Sequence, residues 1–389
     1  MKQECWTPRP KSGFLMCPDP VADLSACDAP IDAGQSALLQ ELAVGLPDLI
    51  KTERVRSVLD ELPIIEVAEL EHCADGRVAE RAFQIYAHFA NVYIWCDQAD
   101  PADRIPAGVA VPLVQLAELV ERPPILPYAS TALCNFERVD PDGGYRVENL
   151  RVIQKIVDIP DESWFHLTHV EIEAHAGDAL FACLDATSHI DNDDAKSAER
   201  ALAGIPDAFN RMGSTFRKIA KGCKPQTYYH TLRPYLFGFN DIVYEGVAKY
   251  GNKPQTFRGQ TGAQSSAIPS VQAFLGLRHE HGGLTHHLEV MKAHMPKPHR
   301  ELLAGIDPTR IRGYVSKVSS SGLTEAYNEC LRSLAEFRTL HLSMANAFVA
   351  SRVENPIGTG GTEFMHWLEQ LRNETEQQYL SVRNRQTRG

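Results

Sequence analysis

Leu323 to Ala350, LTEAYNECLRSLAEFRTLHLSMANAFVA, is the stretch around which the chain is organised. Leu331, Leu334, Phe337, Met344, Ala345 and Phe348 recur at spacings of three and four, which predicts one long helix with an apolar stripe. His341 falls on that stripe, so its imidazole points inward.

An inward histidine has two readings. It is a core side chain hydrogen-bonded to a neighbouring helix, or it is an axial ligand to a haem lying against this face, because neutral imidazole on a rigid helix offers iron a lone pair at fixed geometry. Spacing leaves both open, and the rest of the chain has to decide.

The 389 residues exceed the usual size of one compact unit and predict one large or two unequal domains. A hydrophobic share of 43% is ample for a core, and a net charge of -11 argues against nucleic acid or an anionic membrane surface as the main partner. Nine cysteines without a CxxC pair, and no secretory leader, read as free thiols in a reducing compartment. No run approaches the roughly 18 apolar residues of a spanning helix, so a soluble, cytoplasmic protein is expected.

Residues 1 to 34, rich in Pro, Asp and Ala, read as an extended lead-in. Leu38, Leu39, Leu42, Leu46, Leu49 and Ile50, and then Arg77 to Trp95, carry helical spacing and form the core of a smaller N-terminal domain, residues 1–150, ahead of a larger one, 151–389. Prolines between Pro101 and Pro127 imply short elements with sharp stops. In YASTALCNF, Ala129, Ser130, Thr131 and Ala132 are small enough to let a helix approach a flat ligand. VDPDGGYRVENL is a turn-rich connection between domains.

Residues 161–184, DESWFHLTHVEIEAHAGDALFACL, open with acidic residues and continue as a helix with Phe165, His169, Ile172 and Ala176 on one face. Arg233, among Tyr228, Tyr229, Leu232, Tyr235 and Phe237, is either stacked at a surface or kept for a carboxylate. FRGQTGAQSSAIPSVQAFLGL fits neither nucleotide-binding glycine pattern, but its polar start suits a ligand-lining loop. The histidines of HEHGGLTHHLEVMKAHMPKPHR lack metal-ligand spacing, and most are expected at surfaces or helix ends. The Gly-Thr-Gly-Gly-Thr loop at 358–362 is a linker or a hinged lid. No internal repeat is present, and the architecture is mostly helical.

PPILPYA, YASTALCNF, WFHLTH, LRPYL, VYEGV, GQTGAQSS, LGL, MPKPHREL, FRTLHL and GTGGTEFM, in this order from about residue 79 to 375, closely resemble the indoleamine 2,3-dioxygenase family. The resemblance implies an all-α fold, with a small N-terminal domain packed on a larger helical domain that holds haem b. It implies cleavage of the indole C2–C3 bond of L-tryptophan by O₂ to give N-formylkynurenine. Alternatives on the same scaffold are a haem-dependent monooxygenase of indoles, or a non-catalytic haem or tryptophan sensor, as a monomer or weak homo-oligomer.

By the same resemblance His341 is the proximal haem ligand, and Thr261, Gly262 and Ala263 lie on the loop over the haem face. Tyr128, Thr131, Phe165 and Tyr228 line the substrate pocket, Arg233 pairs with the substrate carboxylate, and Thr359 sits in a mobile loop over the amino acid. His169 stands where animal members carry serine, and looks like the histidine that tryptophan 2,3-dioxygenases place on the indole N–H. Anchoring on Val170, Glu171 and Ile172 instead would put Leu167 there. Gln272 stands where some relatives carry an aspartate near the proximal imidazole, so less imidazolate character is expected at His341.

Overall fold

Helices with three-and-four apolar spacing carry the molecule, and the computed structural model describes residues 9, 11–318, 320–353, 357–362 and 364–382 of it. The helices that place the site are α1 (Ala33–Lys51), α2 (Gly76–Trp95), α3 (Ala107–Leu119), α4 (Pro160–Asp191), α5 (Gly204–Phe216), α6 (Ala267–Phe274), α7 (Gly283–Lys292), α8 (Ser321–Phe348) and α9 (Phe364–Glu376). Their starts follow local chemistry. Asp32 and Asp75 accept backbone N–H groups of the first turns of α1 and α2, and Ser320 does so for α8. Helix α4 opens on Pro160, whose missing N–H is no loss at that position.

Strands are few. Arg104–Ile105 (β1), Glu137–Arg138 (β2), Leu150–Arg151 (β3), Phe239–Tyr244 (β4) and Gln255–Phe257 (β5) form two small sheets, with β4 parallel to β1 and antiparallel to β5. The fold class is therefore all-α, as expected. Among the described residues no helix is long and apolar enough to cross a membrane.

Two large apolar cores lie side by side. The first joins α1, α2 and α3 to Leu232, Leu236, Phe239 and Tyr244, so a segment distant in sequence completes the N-terminal core. The second joins α4, α5, α6 and α8 through residues such as Leu180, Phe209, Val271, Leu331 and Leu334. Phe165 and Tyr228 pack against both, which sets the seam between the cores at the start of α4.

Some expectations change. The stretch read as an extended lead-in contains Phe14 and Leu15, both fully buried, because Gly13 and Gly177 let it pass close over α4. Pro112 lies inside α3 rather than ending it; it forfeits a single N–H bond, to the carbonyl four residues back. In the histidine-rich run His281 and His286 are exposed, but His287, His294 and His299 are buried. His287 stacks on Trp367 (5.1 Å) and His299 meets Phe14 edge-on (5.7 Å), so aromatic partners from remote segments enclose them.

Candidate active site

Helix α4 supplies one wall. Its first turn is fixed by Glu162, a fully buried carboxylate that accepts the N–H groups of Ile156 (2.6 Å), Val157 (3.0 Å) and Asp158 (2.8 Å). One turn on, Phe165 and His169 stack at 4.5 Å between centroids, and the His169 Nδ1–H donates to the Phe165 carbonyl at 2.7 Å. That bond settles the tautomer of the neutral ring: Nε2 is left as a bare acceptor. Burial lowers the His169 pKa and keeps it neutral.

An aromatic chain extends from this pair in both directions. Tyr128 meets His169 edge-on (6.1 Å), Tyr228 lies 4.7 Å from Phe165, and Tyr228 meets Phe348 of α8 (5.8 Å). The alternative register is not on this wall, because Leu167 packs with Leu15, Phe136 and Val170 in a separate cluster behind α4.

Helix α8 supplies the opposite wall. Leu331 and Leu334 are fully buried, but beyond Ala335 the stripe opens: Phe337, Leu340, His341 and Met344 are only half-buried. Burial nevertheless pushes the His341 pKa down to about 4, with the Arg338 charge adding to the effect. The His341 ring meets Phe216 edge-on (5.7 Å) and has no hydrogen-bond partner among the described residues. Among the described residues Gln272 makes no hydrogen bond to it; the Gln272 amide donates to His279 Nε2 (2.6 Å), whose Nδ1 is paired with Glu374.

Three loops meet at the mouth. The Ala129–Leu133 turn is a single π-helical turn, fully buried, in which the Thr131 hydroxyl donates to Tyr128 O (3.1 Å) and accepts from Gln260 Nε2 (3.2 Å). Thr131 is thus enclosed and ties the turn to the next loop. Thr261 caps the short turn Gly262–Gln264, and a Cβ on the exposed Gly262 would meet nothing within 4 Å. Thr359 donates to Gln260 O, placing the glycine-rich loop against the same segment. Gly259 is required there: a Cβ would lie 2.4 Å from Leu236 O and 2.5 Å from Thr359 O.

Arg233 lies beside this crossing. Its guanidinium sits over Phe237 (4.7 Å) and Tyr229 (5.1 Å) and donates to Ile357 O. It is 5% exposed, burial lowers its pKa, and no carboxylate among the described residues pairs with it. A buried cation without an anion is costly to maintain unless a ligand supplies the anion.

The indoleamine 2,3-dioxygenase family model matches residues 4–356. The chain belongs to this family. It is 29% identical to indoleamine 2,3-dioxygenase 1 of Rattus norvegicus over 367 residues, covering 87% of this chain and 88% of the relative. It is 30% identical to the indoleamine 2,3-dioxygenase of Saccharomyces cerevisiae, with 86% of each chain covered. At 25% identity it also matches a 6-hydroxytryptophan 2,3-dioxygenase of Fusarium equiseti, over 86% of this chain and 89% of that one. As a member of the indoleamine 2,3-dioxygenase family the protein is an oxidoreductase of the dioxygenase type.

The structure adds site residues that the sequence reading passed over. Glu173, fully enclosed one turn beyond His169, accepts the Tyr128 hydroxyl at 2.8 Å. Burial pushes its carboxyl up to about 7, against the hydrogen bonds from Ser265 and Tyr128. A glutamate four residues after His169 on an inward face was the available signal. Gln260 and Gln264 bind the Tyr128–Thr131 turn to the loop, the latter accepting Tyr128 N–H at 2.8 Å. Such cross-loop amides leave no periodicity to read.

Proposed function

We propose that the protein is a haem b-dependent dioxygenase that opens the indole C2–C3 bond of L-tryptophan, with both atoms of O₂ entering N-formylkynurenine. The observation that carries this reading is that one aromatic chain, His169, Phe165 and Tyr228, runs between an imidazole without a hydrogen-bond partner among the described residues, His341, and a buried cation without a carboxylate partner among them, Arg233. The donor set fits haem. Among the described residues no three His, Cys, Asp or Glu side chains gather to hold a bare metal ion, so an iron at His341 needs a porphyrin for its remaining ligands. The half-buried apolar walls of α4 and α8 and the open space over Gly262 leave room for a flat group.

Haem b, when bound at His341, supplies the activation of O₂ and the electron traffic. The chain's own residues supply orientation. Arg233 receives the substrate carboxylate through paired N–H groups, and Thr359 closes over the amino acid end. Phe165, Tyr128 and Tyr228 flank the indole, and His169 Nε2 accepts its N–H. Thr261, Gly262 and Ala263 border the haem face, with Thr131 holding that loop from behind. Closure of the three loops over the bound substrate excludes water from the reacting bond. The proposed division is a small domain, 1–150, covering the pocket of a larger one, 151–389, in a cytoplasmic monomer or weak homo-oligomer.

A ring-hydroxylated tryptophan is the second reading. His166 is 2% exposed, follows Phe165 in α4 and has no hydrogen-bond partner among the described residues, so it could receive a hydroxyl on the benzo ring. The Fusarium relative is named for such a substrate. Absorption spectra of the reduced protein with CO, with and without L-tryptophan, test the assignment: a haem band that shifts on adding tryptophan is expected. A colourless preparation that cannot be loaded with haem would overturn it, and product masses after turnover under labelled O₂ separate one inserted oxygen from two.

A further inference from the structure

A cavity opens beside the first core, and His341 is not among its walls. Val21, Arg81, Val120, Arg122, Cys134 and Pro298 are among its walls. Two of these are buried cations, Arg81 at 2% exposure and Arg122 at 5%. The Arg81 guanidinium is held by neutral amide oxygens, those of Gln84 (2.7 Å), Gln154 (3.2 Å) and Gln40 (3.3 Å). Among the described residues its Nε has no acceptor and no carboxylate pairs with it. Arg122 is paired with Glu80 through Nη2 and lies 4.9 Å over the Phe83 ring, while its Nε and Nη1 have no acceptor among the described residues. The remaining Glu80 oxygen faces Cys134 Sγ at 3.4 Å.

Two guanidiniums against one carboxylate leave a single positive charge uncompensated in a low-dielectric space. Burial lowers the Arg81 pKa only to about 10, so the charge persists at neutral pH. Three N–H groups without acceptors, on planar donors, match one carboxylate better than a spherical ion. A dianion would leave the enclosed site with net negative charge. The other walls, among them Val21, Val120 and Pro298, are apolar and suit the hydrocarbon body of a ligand. Arg77 and Lys297 at the rim add positive potential for an approaching anion, although each has an acidic neighbour.

We propose that this cavity binds a small organic monocarboxylate, its carboxylate spanning Arg81 and Arg122 and its apolar body resting on Val21, Val120 and Pro298. The site is independent of the dioxygenase reading, since neither arginine belongs to the pocket around His341.

Calorimetric titration of the purified protein with sodium benzoate, and separately with inorganic phosphate, tests it. Arg233→Gln removes the other buried carboxylate receptor, and in that background saturable benzoate binding with one site is expected, tighter than phosphate, which separates it from the pocket at His341. Arg81→Gln removes the uncompensated charge, and Val21→Phe fills the half-exposed rim without touching a cation; each is expected to weaken benzoate at least tenfold. Should Arg81→Gln fail to fold, Val21→Phe decides alone. No saturable binding by the wild type means a cavity that holds water only, and overturns the proposal. So does wild-type affinity in a folded Arg81→Gln or in Val21→Phe, loss of binding in Arg233→Gln, or a preference for phosphate.

Discussion

In the proposed reading Arg233 and His169 divide the recognition of an amino acid between its two ends, and each makes a separate prediction. A charge-assisted bond is worth roughly 1.5–3 kcal/mol, so Arg233→Ala is expected to lower kcat/KM for L-tryptophan by about one to two orders of magnitude. Unchanged kcat/KM would remove the carboxylate clamp. His169 owes its acceptor role to the Nδ1–H bond with Phe165 O. 1-Methyltryptophan, which has no indole N–H to offer, is therefore expected to turn over poorly in the wild type. The gap between it and tryptophan is expected to shrink by about tenfold in His169→Ala, roughly the 1.4 kcal/mol of one neutral hydrogen bond. Equal turnover of the two substrates by the wild type would count against that contact. At this scale the sequence made legible which side chains share a helical face with apolar neighbours, as His341 and His169 do. Glu173, Gln260 and Gln264 escaped because their partners come from other segments.

Helix α4 is the element on which the site is hung, and a glycine crossing holds the N-terminal segment to its back. A Cβ on Gly177 would lie 2.3 Å from Gly13 Cα, and one on Gly13 would lie 2.5 Å from Glu173 O. The Phe14 N–H donates to that same Glu173 carbonyl at 3.2 Å, so the crossing braces the turn that holds Tyr128. Gly177→Ala forces two backbones apart and is expected to destabilise the protein by roughly 1–3 kcal/mol. Gly45→Ala is the control, a position inside α1 where a Cβ meets nothing within 4 Å. There the substitution is expected to stabilise by about 0.5–1 kcal/mol, because alanine loses less backbone freedom on folding. Urea midpoints moving in opposite directions confirm the pair; similar shifts in both variants would sink it. Helix positions were readable from periodicity, and α2 and α8 fall within a few residues of their expected spans. The close approaches were not, because a glycine's role depends on which backbone arrives from elsewhere.

At the scale of the whole molecule, helical pattern announced an all-α protein, but it could not announce how distant segments share a core. Tyr244 is fully buried with α2 and α3 because β4 pairs with β1. The histidine-rich run looked solvent-facing for the same reason, and its burial has a thermodynamic consequence. Burial lowers the pKa of His88, His287 and His294 to about 4, and of His166 and His299 to about 3. These five are neutral in the fold but bind protons near pH 6.5 when the chain unfolds. Their contribution is complete above pH 6.5 and is lost as pH falls from there toward their folded values, each by on the order of 1.4 kcal/mol per pH unit. Glu173, raised to about 7 from 4.5, acts in the opposite sense: its contribution is present below 4.5 and lost as pH rises through 7. One such group cannot offset five. The unfolding free energy from urea titration is therefore expected to be at least about 3 kcal/mol lower at pH 5 than at pH 7, with proton uptake on unfolding at pH 5. Equal stability at the two pH values would mean that these imidazoles are not enclosed as neutral groups.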